Sequence, residues 1–162
     1  LKRSDPAQVL PGYDYDVLTA DALIERLEAR DGRLILPDGM SYRVLVLAEH
    51  PAISLPVLRK VRRLVDAGAT VVGRPPGEAS GLHGYPESDA EVAALTKVLW
   101  GDKGATGTGD RSCGKGRVIW GRTAREVLQA NGLKEAALRE HALEIERRCR
   151  ALDRIGLEIG WR

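Results

Sequence analysis

Hydrophobic positions recur along this chain with two spacings, one helical and one extended. Val57, Leu58, Val61, Leu64 and Val65 fall at i, i+1, i+4, i+7 and i+8, the buried face of an amphipathic helix. Ser54 and Pro56 open that helix and Gly68 stops it, so the pattern predicts a helix over 56–67. Unbroken apolar runs flank it: "YRVLVL" (42–47) before and "ATVVG" (69–73) after. Strand, helix and strand within about thirty residues form a βαβ unit, whose crossover is right-handed. A third run, "RVIW" (117–120), supplies a further strand, and "GRLIL" (32–36) is positioned to pair with 42–47 across the Pro37–Ser41 turn.

Other elements follow from caps and breakers. Thr19 caps a helix whose face carries Leu23, Ile24 and Leu27. Ser88 and Glu91 have the S-x-x-E spacing of a capping box ahead of a helix over 89–99, with Val92, Leu95, Val98 and Leu99 on its face and Gly101 at its end. Thr123 and Glu126 repeat that box in a helix ending at Gly132. Residues 13–18 alternate, 74–87 read as a loop, and the Gly-rich stretch 101–116 reads as a second loop. Near the C-terminus, Leu138, Ala142, Ile145, Cys149 and Leu152 alternate spacings of four and three, a heptad-like seam on a predicted helix 134–152. The segments divide into a polar, proline-containing tail or linker (1–12), an α/β domain (13–132), and a C-terminal amphipathic helix and tail (133–162). The fold class expected is α/β: an open, mostly parallel sheet with flanking helices, plus the C-terminal helix.

Composition sharpens this picture. With 162 residues the chain is of single-domain size. Apolar residues make up 43%, aromatics only 4% and Phe is absent, so Val, Leu, Ile and Ala are expected to build the core. A net charge of +2 is no argument for nucleic acid, and the basic run "RKVRR" (59–63) falls on the solvent face of the 56–67 helix. No nucleic-acid partner is expected. No apolar run approaches the ~18 residues of a membrane span, so no membrane partner is expected either. The chain starts at Leu1 and its single Met is Met40, which suggests a processed N-terminus or a piece of a larger protein.

Candidate chemistry is sparse. "GDRSCGKG" (109–116) matches a phosphate loop up to Lys115, but Gly116 stands where Ser or Thr would hold magnesium, and a strand rather than a helix follows. No nucleophile elbow G-x-S-x-G follows a strand. Cys113 and Cys149 have no base placed by sequence, and His50, His83 and His141 lack metal-ligand spacing. Asp14, Asp16, Glu87 and Asp89 could be proposed as a glycosidase pair, yet nothing separates them from turn and cap residues. No catalytic, metal or cofactor residue is therefore assigned, and no cofactor is expected. If the domain binds a small molecule, as a stand-alone flavodoxin-like protein would, the place is the C-terminal strand edge at Glu49, Arg74 and Gly121. The strand 42–47 reads as scaffold.

Four stretches in order carry a resemblance: "DGRLILPDGMSYRVLVL", "LRKVRRLVDAGATVVGRPP", "GYPESDAEVAALTKVLWGD" and "GKGRVIWGRTAREVL". Together they resemble a domain of the large bacterial α-L-rhamnosidases of glycoside hydrolase family 106, from about Pro11 to Leu128. The resemblance implies an accessory domain similar to the class I glutamine-amidotransferase-like domain of some β-galactosidases. It implies that the catalytic carboxylates and calcium ligands lie on a separate (β/α)8 barrel; none of them maps onto this sequence. The implied partners are the other domains of a larger glycosidase, which in this family is often periplasmic or secreted. The Gly-rich loop looks longer than the family's, and after Gln129 the likeness stops. The seam of helix 134–152 offers a weak homodimer contact as another role.

Overall fold

The computed structural model describes residues 13–102 and 107–132. Among them are four helices and three small sheets, a mixed α/β arrangement. Helix α1 (Ala20–Arg26) leads into an antiparallel sheet of β1 (Glu28–Arg30), β2 (Arg33–Ile35) and β3 (Ser41–Tyr42). Then come β4 (Leu45–Val46), β5 (Ala52–Ile53), α2 (Leu55–Asp66), β6 (Thr70–Val72) and β7 (Glu78–Ala79). Helix α3 (Glu87–Trp100), the hairpin β8 (Gly109–Cys113) and β9 (Gly116–Trp120), and α4 (Ala124–Ala130) complete the fold. The main sheet has the order β4-β6-β9-β8. Strands β4, β6 and β9 run parallel, with Leu45 opposite Val71 and Val71 opposite Val118; β8 closes the edge antiparallel to β9. The βαβ unit expected from the spacing is thus present. Strands β5 and β7 form a separate two-stranded parallel ribbon.

Alternation along the main sheet assigns its two faces. Val71, Val118 and Trp120 pack with Leu58, Val61 and Val65 of α2 and with Val92, Leu99 and Trp100 of α3. Val72 and Ile119 point the other way, onto Val127 of α4. Under α1, a second cluster of Leu23, Leu27, Leu34, Leu36, Leu64 and Ala69 joins the antiparallel sheet to α2. Caps behave as spacing predicts in three helices. Thr19 Oγ1 accepts from the Ala22 amide, Ser54 Oγ from the Val57 amide, and Thr123 with Glu126 completes a reciprocal capping box.

Several expectations need correction. The run 42–47 is not one strand. Tyr42 pairs with Leu34 in the antiparallel sheet, whereas Leu45 and Val46 pair with β6 in the main sheet, so the chain changes sheets at Arg43–Val44. Ser88 and Glu91 make no capping box: α3 starts at Glu87 after Pro86, which provides no side-chain cap. Ser88 is instead buried with its hydroxyl unpartnered, and Glu91 reaches across to Arg59. Val98, expected on the buried face of α3, is exposed, and Trp100 fills the core in its place. Residues 13–18 form no strand. The stretch 101–116 is not all loop, because β8 occupies 109–113. Nor is the core purely aliphatic: Trp100 and Trp120 both lie in the main cluster, where a few large rings fill volume that many small side chains would otherwise have to fill. The predicted helix 134–152 and its seam lie outside the described residues.

Candidate functional site

In open α/β sheets, ligands gather beyond the C-terminal ends of parallel strands, at the point where strand order reverses. Here Glu49 follows β4, Arg74 follows β6 and Gly121 follows β9, so the structure does bring all three candidates to the same end of one sheet. The order β4-β6-β9 has no reversal, and α2 and α3 pack together on one face. No switch-point crevice forms between these strands.

Close packing occupies this end at two points, Gly73 and Gly121. The Leu47 amide donates to the Val72 carbonyl (2.8 Å) and the Gly73 amide to Ile119 (3.0 Å), which extends the sheet one residue further. A Cβ on Gly73 would lie 2.7 Å from Leu47 Cβ, so the Leu47 side chain rests directly on this backbone. Trp100 Nε1 donates to the Gly73 carbonyl at 2.9 Å, tying the end of α3 over β6. At Gly121 a Cβ would meet the Gly107 carbonyl and lie 2.8 Å from Thr108 Cα, so the chain entering β8 crosses there. Glu49 and Arg74 are exposed to solvent. His50, beside Glu49, folds its Nδ1 onto the backbone of Ala52 at 3.1 Å.

The phosphate-loop match is a hairpin turn. Gly114 and Lys115 connect β8 to β9, with a positive φ of 58° at Gly114, as a two-residue hairpin of this kind requires. A Cβ at Gly114 would come within 2.8 Å of Asp66 Oδ1. A carboxylate therefore sits where a phosphate would need positive potential. The proposed carboxylates serve different elements: Asp16 accepts from the Tyr42 hydroxyl (3.0 Å), and Asp89, in the first turn of α3, accepts from the Ala79 amide (2.8 Å). Glu91 accepts two hydrogen bonds from Arg59, which hold its carboxyl below the ordinary range, the wrong direction for a general acid. Among the described residues no group of three His, Cys, Asp or Glu is placed to hold a metal ion, and no described helix is long and apolar enough to cross a membrane.

A cleft that sequence reasoning missed opens between the end of α3 and the β8–β9 hairpin. It has about 350 Å³ and is lined by Trp100, Gly101, Asp102, Asp110, Arg111 and Trp120. Its charges are used internally: Asp102 pairs with Lys97 (2.8 Å), Asp110 faces Arg117 (3.8 Å), and Arg111 Nε donates to the Val98 carbonyl (3.2 Å). The Trp120 indole N–H is buried without a partner. No sequence motif marks this cleft; its walls come from residues twenty apart, brought together by strand pairing.

Fold and edge together define a mixed α/β domain. Comparison with known proteins supplies the family. A family model for α-L-rhamnosidase, glycoside hydrolase family 106, matches residues 1–153, and the chain belongs to that family. This match runs past Gln129, where the motifs alone had suggested that the likeness stops. A curated relative, a putative β-glucuronidase from Formosa agariphila, is 39% identical over 90 residues, which are 56% of this chain and 8% of the relative. The solved structure of a rhamnosidase from Novosphingobium sp. PP1Y superposes with a TM-score of 0.66 at 34% identity, covering 75% of this chain and 11% of that one. The chain thus spans about a tenth of the length of the relatives it matches.

Proposed function

We propose that residues 13–132 are a non-catalytic accessory domain of a larger glycoside hydrolase that cleaves α-L-rhamnosyl bonds, with 1–12 as a linker or tail. Its fold is read as amidotransferase-like, on the strength of the parallel β4-β6-β9 set and the α2 and α3 crossovers. The observation that carries the functional reading is the filled strand edge. Leu47, Trp100 and the 107–108 backbone occupy the place where α/β enzymes assemble catalytic groups. The domain's work is then structural, packing on the catalytic domain and shaping its surroundings.

Assay of the purified chain with an aryl α-L-rhamnoside tests this. Glycosidases need two carboxyls ~5–5.5 Å or ~6.5–9.5 Å apart across the bond, whereas Asp66, Glu91 and Asp102 are held in ion pairs and Asp89 and Glu126 accept backbone amides. No turnover is expected. Turnover that disappears when one carboxylate of this chain is replaced would overturn the proposal.

A further inference from the structure

The loop between β7 and α3 carries the most exposed large apolar side chain of the described residues, Leu82, at 85%, and three residues later Tyr85, at 63%. They are the two ends of one turn: the Tyr85 amide donates to the Leu82 carbonyl at 3.2 Å, and Gly84 at the third position has a φ of 73°, which a type II turn needs there. Such a turn holds its first and fourth Cα atoms within about 7 Å, so two exposed large side chains leave the surface from one tight turn, a knob on the domain. The base is pinned on both sides. The Ser80 amide donates to Ile53 (2.9 Å), the Ser88 amide to Gly84 (2.7 Å) and the Ala79 amide to Asp89 Oδ1 (2.8 Å). From Ala79 to Pro86 the chain has no Asp, Glu, Lys or Arg, although charged residues make up 30% of the whole.

We infer that this knob is the docking contact of the domain, and that it seats in an apolar socket on a neighbouring domain of the same polypeptide. The inference rests on the accessory-domain reading and names the surface that reading leaves open. A rigid, uncharged Leu–Tyr pair has the composition of an interface core, where charge is depleted and Tyr enriched. Preorganisation by the turn lowers the ordering cost of binding. The occupant follows from coverage: in the matched relatives this stretch is 8% and 11% of the chain, so most of each protein lies outside it and is available to cover the knob.

The test uses the complete gene product and the 162-residue chain side by side. A photo-crosslinking phenylalanine at position 85 of the complete product should join to a residue beyond 1–162 of the same polypeptide. Leu82→Asp combined with Tyr85→Asp should abolish that domain contact, lowering the melting temperature of the complete product while leaving the isolated chain unchanged, since both side chains are exposed there. Crosslinking to a second polypeptide, crosslinking confined to 1–162, or no crosslink would overturn the inference, as would a gene product with no further domains. A double variant that melts like the parent in both contexts would do the same. A gene product with no further domains would sink the accessory reading as well; the crosslinking and melting outcomes are distinct from its failure by catalysis, which appears as rhamnosidase turnover by the isolated chain.

Discussion

Gly116→Ala should damage the fold more than any change of one methyl group suggests. Gly116 begins β9 beneath the end of α2, and its φ lies outside the left-handed region, so alanine is acceptable to its own backbone. Space is the obstacle. The new Cβ would fall on the Ala69 carbonyl, 2.5 Å from the Val65 carbonyl and 2.9 Å from the Ala69 amide. None of these atoms is free to move. The Ala69 carbonyl accepts from the Arg117 amide (3.1 Å), the Val65 carbonyl from Gly68 (3.0 Å), and the Ala69 amide donates to Leu64 (2.9 Å). Relief requires shifting α2 from β9, at the ~1–3 kcal/mol of an overpacked core. Distorting one or two of these bonds adds roughly 0.5–1.5 kcal/mol each. Lower unfolded-state entropy returns about 0.4–1 kcal/mol. A net loss of about 3 kcal/mol follows, or roughly 10–15 °C in Tm for a folded unit of this size. Gly77→Ala is the control: its nearest atom is the Pro51 carbonyl at 3.9 Å, so it should stay within about 0.5 kcal/mol of the parent. Urea unfolding followed by circular dichroism, with equal m-values, measures both. The reasoning fails if Gly116→Ala lies within 0.5 kcal/mol of the parent, a surface-like effect, or if both substitutions cost the same.

Further expectations concern single groups. Thr123→Ala removes one half of a complete capping box and should cost about 1 kcal/mol, whereas Ser88→Ala deletes a buried hydroxyl that has no partner and should be neutral or stabilising; denaturant midpoints distinguish the two. Trp100→Phe leaves the Gly73 carbonyl without its donor and should cost roughly 1–3 kcal/mol, an outcome refuted if stability is unchanged. The Tyr42 phenol is held above its ordinary range, first by desolvation and then by its hydrogen bond to Asp16. Its contribution is fully present below the unfolded-state value near 10 and is lost as pH rises through the folded-state value, because the unfolded chain releases that proton first. Tyr42→Phe should therefore flatten the alkaline limb of a stability–pH curve above about pH 10, and a curve parallel to the parent's would contradict this.

The sequence alone determined what depends on neighbours a few residues away. The face of α2, the caps at Thr19, Ser54 and Thr123, and the three parallel strands all follow from period and cap chemistry, which act within one or two turns of chain. The same local evidence also found the candidate edge of Glu49, Arg74 and Gly121, because βα connections place strand ends on one side. What only the tertiary structure decided involves pairing at a distance. An apolar run of six residues looks like one strand, yet Tyr42 and Leu45 join different sheets, since the partners β2 and β6 bid for them from opposite sides in sequence. The glycines of 109–116 look like a loop until β9 supplies a ladder, and Trp120 covers Gly109 on that hairpin. Ser88 and Glu91 have capping-box spacing, but Arg59 on α2 claims the carboxylate and the helix begins two residues earlier, at Glu87. Whether a strand edge is open or filled is of the same kind. Leu47, Trp100 and Thr108 reach it from three separate segments, and side-chain volume at that point is set by their meeting, not by the spacing within any one of them.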